Sequence, residues 1–257
     1  MKIIAIIQAR MGSNRLPGKV MQDICGQPML MWVVKRAGMA RTLEKVVVAV
    51  TTNDEDKIIE TFCSTYKIAC FRGSPADVLD RFYQAACLFY ADVIVRLTAD
   101  CPFVDPDLID ETVHAFLDSK VDFTANRLPP PFARTYPIGL DVEVVSMAAL
   151  RRAWKEATQL HEREHVLPYL YEMPGRFKIL TLDLPQDLGS LRWTVDTPQD
   201  LEFIRQVADR LKCRFDFSWR DVLKVLQLHP ELKEINARIK HKTYKDVDDR
   251  VSGKKKE

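Results

Sequence analysis

The chain has 257 residues, 47% of them hydrophobic, and 38 Lys and Arg against 36 Asp and Glu give a net charge of +2. That size and apolar content suit one packed domain, and so balanced a charge leaves no general basic field of the kind that draws nucleic acid or membrane surfaces. No apolar run approaches the ~20 residues of a membrane span, and the amino terminus enters a strand without a signal region, so a cytoplasmic protein is expected.

In chain order, the β-branched run Ile3–Ile7 reads as a strand buried on both faces. Pro28 then opens a helix to about 41, and 45–51 (KVVVAVT) is a second buried strand. Asn53 and Asp54 cap a helix to about 66, a short strand covers 68–72, and Ser74 and Asp77 bracket the start of a helix to about 90. A strand at 93–97 and a helix at 107–118 follow. This alternation means βαβ units and a mainly parallel sheet. The rhythm then breaks. A strand at 121–125 leads into the proline-rich 128–132, which is either an extended loop near a ligand or a rigid connector. Residues 139–145 alternate like a strand, helices are expected at 147–157 and 161–172, and strands at 177–183 and 190–195. The region 198–240 reads as helical. One domain over 1–245 and a disordered tail at 246–257 are expected. The six cysteines (Cys25, Cys63, Cys70, Cys87, Cys101, Cys213) show no CxxC and no zinc spacing, so buried free thiols in a reducing compartment are expected.

The first strand ends at Gln8, and Arg10, Arg15 and Lys19 follow it among Gly12, Ser13, Pro17 and Gly18. A basic, glycine-containing loop at the carboxyl end of a buried strand is where an open α/β sheet receives an anion. It is not a Walker A loop, because five residues separate Gly12 from Gly18 and Val20 follows Lys19. Three surface cations in a solvated turn are the plainer alternative.

Two carboxylates also follow strands: Asp100 in TADCP and Asp196 in VDTPQD. Thr197, Pro198 and Asp200 already supply a helix start, which leaves Asp196 for other work. Asp100 has the alternative of an Asx-turn ahead of Pro102. Two carboxylates beside a phosphate-binding loop are what magnesium needs, since it shares its remaining positions with phosphate and water. In the absence of metal, two such like charges are expected to raise one another's pKa.

The run from Gln8 to Ser13 and from Arg15 to Lys19 resembles the amino-terminal motif of the cytidylyltransferases that make CMP-activated acidic sugars, closest to the branch of spore-coat polysaccharide biosynthesis proteins. The segments 97–103 and 195–201 resemble that family's metal segments, and 71–81 (FRGSPADVLDR) resembles the part that contacts base and ribose. The resemblance implies a three-layer, Rossmann-like α/β fold of the nucleotide-diphospho-sugar transferase type. It implies nucleotide contacts from Ala9, Arg10, Gly12, Ser13, Arg15, Lys19, Gly73, Ser74, Asp77 and Arg81, and magnesium ligation by Asp100 and Asp196. Arg10, Lys19 and Asp100 are the candidate catalytic residues.

His161-Glu162-Arg163-Glu164-His165 matches H-E-x-x-H, yet no third ligand has a recognisable spacing, and 163–169 resembles a segment of the same branch. The middle third, about 125–190, is where that family holds its sugar and builds its dimer. Asp141, Glu143, Arg163, Glu164 and His165 are the candidate sugar contacts, with an ion-paired structural network as their alternative. The expected reaction is attack of a sugar oxygen on the α-phosphorus of CTP in a magnesium-dependent homodimer. A glycosyltransferase of the same fold would want an Asp-x-Asp motif, where this chain has Asp100-Cys101-Pro102. A non-catalytic nucleotide-binding protein would not need both carboxylates and all three cations.

Overall fold

The computed structural model describes residues 1–129 and 132–239. Pro130 and Pro131 of the proline-rich loop, and the tail from 240 onward, lie outside the described residues. The first half of the chain contains β1 (Ile3–Gln8), the hairpin β2 (Asp23–Ile24) and β3 (Gln27–Pro28), α1 (Met29–Ala37), β4 (Lys45–Thr51) and α2 (Lys57–Thr65). It continues through β5 (Ala69–Gly73), α3 (Val78–Leu88), β6 (Val93–Thr98) and α4 (Pro106–Ser119). The second half adds β7 (Phe123–Ala125), β8 (Glu143–Ser146), α5 (Met147–Glu156), α6 (Leu160–His165) and α7 (Pro168–Tyr171). It closes with β9 (Ile179–Thr181), α8 (Pro198–Arg210) and α9 (Trp219–Leu228).

The seven-stranded sheet runs in the order β5-β4-β1-β6-β8-β7-β9. β1 lies between β4 and β6 and is parallel to both. Its composition explains that position. Ile3, Ala5 and Ile7 enter one apolar cluster and Ile4 and Ile6 the other, following the two-residue period of a strand. Burying each isoleucine contributes roughly 1.5–3 kcal/mol. The first cluster packs side chains of α1, α2, α4, α8 and α9 on one face, and the second those of α3, α5 and α7 on the other. The result is three layers. Only β8 breaks the parallel run, pairing antiparallel with β6 and β7, while β7 and β9 are parallel.

Several expected elements differ. The residues 190–195 form no named strand; they are joined to 138 by one parallel bridge, with Ile138 donating to the Leu191 carbonyl and Trp193 to that of Ile138. The expected helix 161–172 breaks at Val166, whose φ is 72°, just before Pro168 starts α7. The 198–240 helix is divided into α8, α9 and a 3-10 turn at Pro230–Glu234, because Ser218 caps a new helix with Asp221. Asp54–Asp56 forms a 3-10 turn, so α2 starts only at Lys57. Two cysteines overturn the expectation of six free thiols. Cys25, in the β2–β3 turn, is bonded to Cys213, just past α8, across 188 residues of sequence.

Candidate active site

The loop after β1 is closed by hydrogen bonds of its own. Gly18 has a φ of 68°, a left-handed conformation that glycine adopts without cost, and its N–H donates to the Met11 carbonyl at 2.9 Å. Ala9 donates to the Ala49 carbonyl, Leu16 to Ser13 Oγ at 3.3 Å, and Met11 to Asp56 Oδ1 at 2.6 Å. Asp56 is fully buried and also accepts from the Thr51 hydroxyl, so it fixes the start of the loop. Gly12, Ser13 and Arg15 remain half-buried along its rim, as does Arg10.

The closed loop delivers Lys19 to the ends of two other segments. Its Nζ donates to Asp100 Oδ2 at 2.7 Å, to the Val195 carbonyl at 2.8 Å and to Asp196 Oδ1 at 2.8 Å. Asp100 and Asp196 therefore converge on one point although 96 positions of sequence separate them. Asp196 Oδ2 takes Arg15 Nη2 at 3.0 Å and Arg192 Nη2 at 2.7 Å. The expectation that the two carboxylates raise one another's pKa is corrected here. Burial does push Asp196 upward, but Lys19, Arg15 and Arg192 outweigh it and hold the carboxyl well below the usual range. Thr197 and Asp200 form the capping box of α8 as the residues suggested, with Thr197 Oγ1 accepting from the Asp200 N–H and Asp200 Oδ2 from the Thr197 N–H. The Asp196 carboxylate is thus left to the cations.

Arg192 had no place in the sequence reading. Its Nε donates to Asp200 Oδ1 at 2.8 Å, and Asn236 closes the group by donating to Asp200 Oδ1 and the Arg192 carbonyl, each at 3.0 Å. A signal existed: an arginine inside Leu191-Arg192-Trp193 must find a buried counter-ion. Arg96, inside the apolar strand β6, carries the same signal. It pairs with Glu143 on β8 and donates to Gln8 Oε1 at 3.0 Å. Asp56 had no such signal beside Asp54 and Glu55.

The 71–81 segment packs tightly. A Cβ on Gly73 would meet Phe71 at 2.8 Å and Arg81 at 2.9 Å, so glycine is required by close approach. Ser74 Oγ accepts from the Asp77 N–H, and the Ser74 carbonyl accepts from Arg81. Asp77 caps α3 through the Asp80 N–H, and its other oxygen takes Arg163 Nε at 2.9 Å. Burial, then Arg10, lowers the Arg81 pKa to about 10. The structure thereby joins Arg163, a candidate sugar contact, to Asp77, a candidate nucleotide contact.

Of the other sugar candidates, Asp141 accepts from Arg134 Nη1 at 2.6 Å and Arg127 Nε at 3.3 Å, and Glu143 is held by Arg96. Glu164 and His165 lie on α6. Buried His165 Nε2 has no hydrogen-bond partner. Burial, then Arg96, Arg127, His161 and Arg10, lowers the His165 pKa to about 4. His165 is neutral at pH 7 within a cationic cluster. In the H-E-x-x-H segment, His161 pairs with Glu172 at 2.8 Å, and Glu162 Oε2 is committed to the N–H groups of Thr158 and Gln159.

Three cations and two carboxylates at the carboxyl edge of the sheet can bind a polyphosphate and neutralise charge developing on it. Among the described residues no three His, Cys, Asp or Glu side chains gather as a metal cage. Asp100 and Asp196 nevertheless aim hard oxygens at one cation position, which the Lys19 ammonium holds. Two carboxylates fit a magnesium ion that draws its other ligands from phosphate and water.

Comparison with known proteins places this site in context. A family model described as cytidylyltransferase matches residues 4–239. The spore coat polysaccharide biosynthesis protein SpsF of Bacillus subtilis is 33% identical over 89% of this chain and 95% of its own length. A 3-deoxy-manno-octulosonate cytidylyltransferase of Brucella ovis is 32% identical over 48% of this chain and 49% of its own. The solved structure of a cytidylyltransferase from Leptospira borgpetersenii superposes with a TM-score of 0.86 at 32% identity, covering 94% of this chain and all of that one. The fold is that of the nucleotide-diphospho-sugar transferases.

Proposed function

The chain belongs to the cytidylyltransferase family, and on that premise we propose that it activates an acidic sugar with CTP, releasing pyrophosphate and a CMP-sugar for surface polysaccharide synthesis. The observation that supports this reading best is the meeting of Lys19, Arg15, Asp100 and Asp196 at the sheet edge where β1 and β6 end. A sugar hydroxyl oxygen attacks the α-phosphorus, the bond from that phosphorus to the bridging oxygen breaks, pyrophosphate leaves with that oxygen, and the hydroxyl proton passes to solvent. Arg10, Arg15 and Lys19 stabilise the negative charge on the phosphate oxygens and on the departing pyrophosphate. Ala9, Gly12 and Ser13 line the approach to those phosphates, and Gly73, Ser74, Asp77 and Arg81 frame the nucleoside. Asp100 and Asp196 are the residues that would hold magnesium, which supplies charge neutralisation at the phosphates when bound.

The acidic acceptor is supported by the cations gathered around His165. Arg96, Arg127 and Arg10 all act on His165, which stays neutral among them. A carboxylated sugar fits that cationic cluster. The decisive assay is pyrophosphate release with CTP and a panel of acidic and neutral sugars. Release with an acidic sugar, lost in Asp196→Asn, is expected. Release with neutral sugars alone, or with another nucleotide in preference to CTP, would reject the proposal.

A further inference from the structure

Lys19 spends all three of its protons inside the protein. An ammonium has three donors and no acceptor, and here they go to Asp100 Oδ2, Val195 O and Asp196 Oδ1, none farther than 2.8 Å. The side chain is only 12% exposed. A lysine so placed is not extended toward a triphosphate. It closes the gap between two carboxylates.

We propose that Lys19 is an exchangeable counter-cation: in the nucleotide-free protein its ammonium occupies the position between Asp100 and Asp196 that a divalent cation takes, and it yields that position only when a polyphosphate arrives to receive it. The inference rests on the reading of Asp100 and Asp196 as carboxylates that serve a divalent cation. Geometry makes the two occupants exclusive. A cation ~2.1 Å from both carboxylate oxygens would touch an ammonium that lies 2.7 and 2.8 Å from the same atoms.

Charge makes them exchange rather than add. Arg192 is compensated by buried Asp200, which leaves Lys19 and Arg15 against Asp100 and Asp196, a balanced set. Adding a divalent cation alone leaves two uncompensated positive charges in a partly buried place, which is costly. A polyphosphate brings the missing negative charge and offers Lys19 new acceptors. The backbone need not move for this. Gly18 and the 3-10 turn at Lys19–Met21 fix the Cα, and rotation about the side-chain bonds carries Nζ away.

The test is a titration of the full chain with Mn²⁺, without nucleotide or sugar, read by the electron paramagnetic resonance of free Mn²⁺. Wild type should bind weakly. Lys19→Met should bind one Mn²⁺ roughly ten-fold or more tightly, because the carboxylates lose their internal cation. Adding Asp100→Asn to Lys19→Met should return binding to the wild-type level. Lys19→Gln, which keeps a polar group of similar length, serves if the Met variant does not fold by circular dichroism. A folded Lys19→Met or Lys19→Gln that binds Mn²⁺ no better than wild type overturns the exchange, as does tight binding that survives Asp100→Asn. Since neither CTP nor turnover enters the measurement, failure of the sugar-activation reading leaves this result interpretable, and the reverse holds.

Discussion

Asp196 is gripped on one oxygen by Lys19 and on the other by Arg15 and Arg192, and this arrangement divides the three cations by role. Arg192 is buried and answered by Asp200, so it positions the carboxylate. Arg15, about one third exposed, has a free path to a ligand. Arg15→Ala should therefore weaken CTP binding far more than cytidine binding, by roughly 1.5–3 kcal/mol for one charge-assisted hydrogen bond. Calorimetry with both ligands checks this, and equal losses would detach Arg15 from the phosphates. His165 makes a second prediction. Its folded pKa of about 4 lies below the ordinary 6.5, so as pH falls the unfolded chain takes up this proton first. The stability it carries is complete above pH 6.5 and is lost between there and about 4. Urea unfolding across that window should show a shallower loss for His165→Gln than for wild type. Parallel curves would mean the imidazole is not held neutral. Asp100 and the loop cations were legible in the sequence because they follow β6 and β1, and Asp196 because Thr197 and Asp200 already cap the next helix; their mutual pairing was not, since it depends on chain crossings that no local pattern encodes.

At the scale of elements, the segment carrying Asp196 shows where sequence periodicity misleads. Residues 190–195 have a strand's composition, and Trp193 and Val195 are fully buried, but they pair with 138 through one bridge only. Gly139 explains the contact. Its φ is +105°, and a Cβ there would lie 2.6 Å from Thr194 N and Trp193 C. The backbones touch where a side chain would stand, so apolar pattern alone suggested a strand and the neighbouring glycine carried the real constraint. Gly139→Ala must both adopt a strained φ and push the 193–194 backbone away from the sheet. A loss of about 2–4 kcal/mol in stability is expected, with reduced turnover because Asp196 is two residues from the displaced backbone. Thermal unfolding and pyrophosphate release measure the two effects separately. An unchanged melting temperature would remove this contact from the account. By contrast, β1, β4, β5 and β6 were readable because each strand is short, apolar and bounded by turn residues. The break between α6 and α7 falls just ahead of Pro168, a residue that the expected helix 161–172 ran through.

The whole molecule has two halves of unequal legibility. Through α4 the chain follows the strand–helix alternation that local periodicity predicts, and the parallel pairing follows from the helices that return the chain between strands. Beyond β7 the strands are short, and that half is held by long-range pairs such as Arg96–Glu143 and Arg163–Asp77, which hydrophobic patterning cannot reveal. The Cys25–Cys213 bond is the clearest example of such a pair, since no spacing rule connects residues 188 apart. Its position gives it a consequence for the proposed site. Cys25 sits in the hairpin that follows Lys19, and Cys213 follows the helix that begins after Asp196. The bond therefore ties together the two segments whose side chains meet there, alongside Arg205, which donates to the Asp23 carbonyl at 2.8 Å. Closing so long a loop restricts the unfolded chain, and removing such a bond typically costs roughly 2–5 kcal/mol. Reduction of the wild type should lower its denaturation midpoint accordingly, and Cys25→Ser should show the same lower midpoint with or without reductant. If reductant leaves the wild type unchanged, or lowers both proteins equally, the bond contributes nothing to the native state and the loop and α8 are held by their polar contacts alone.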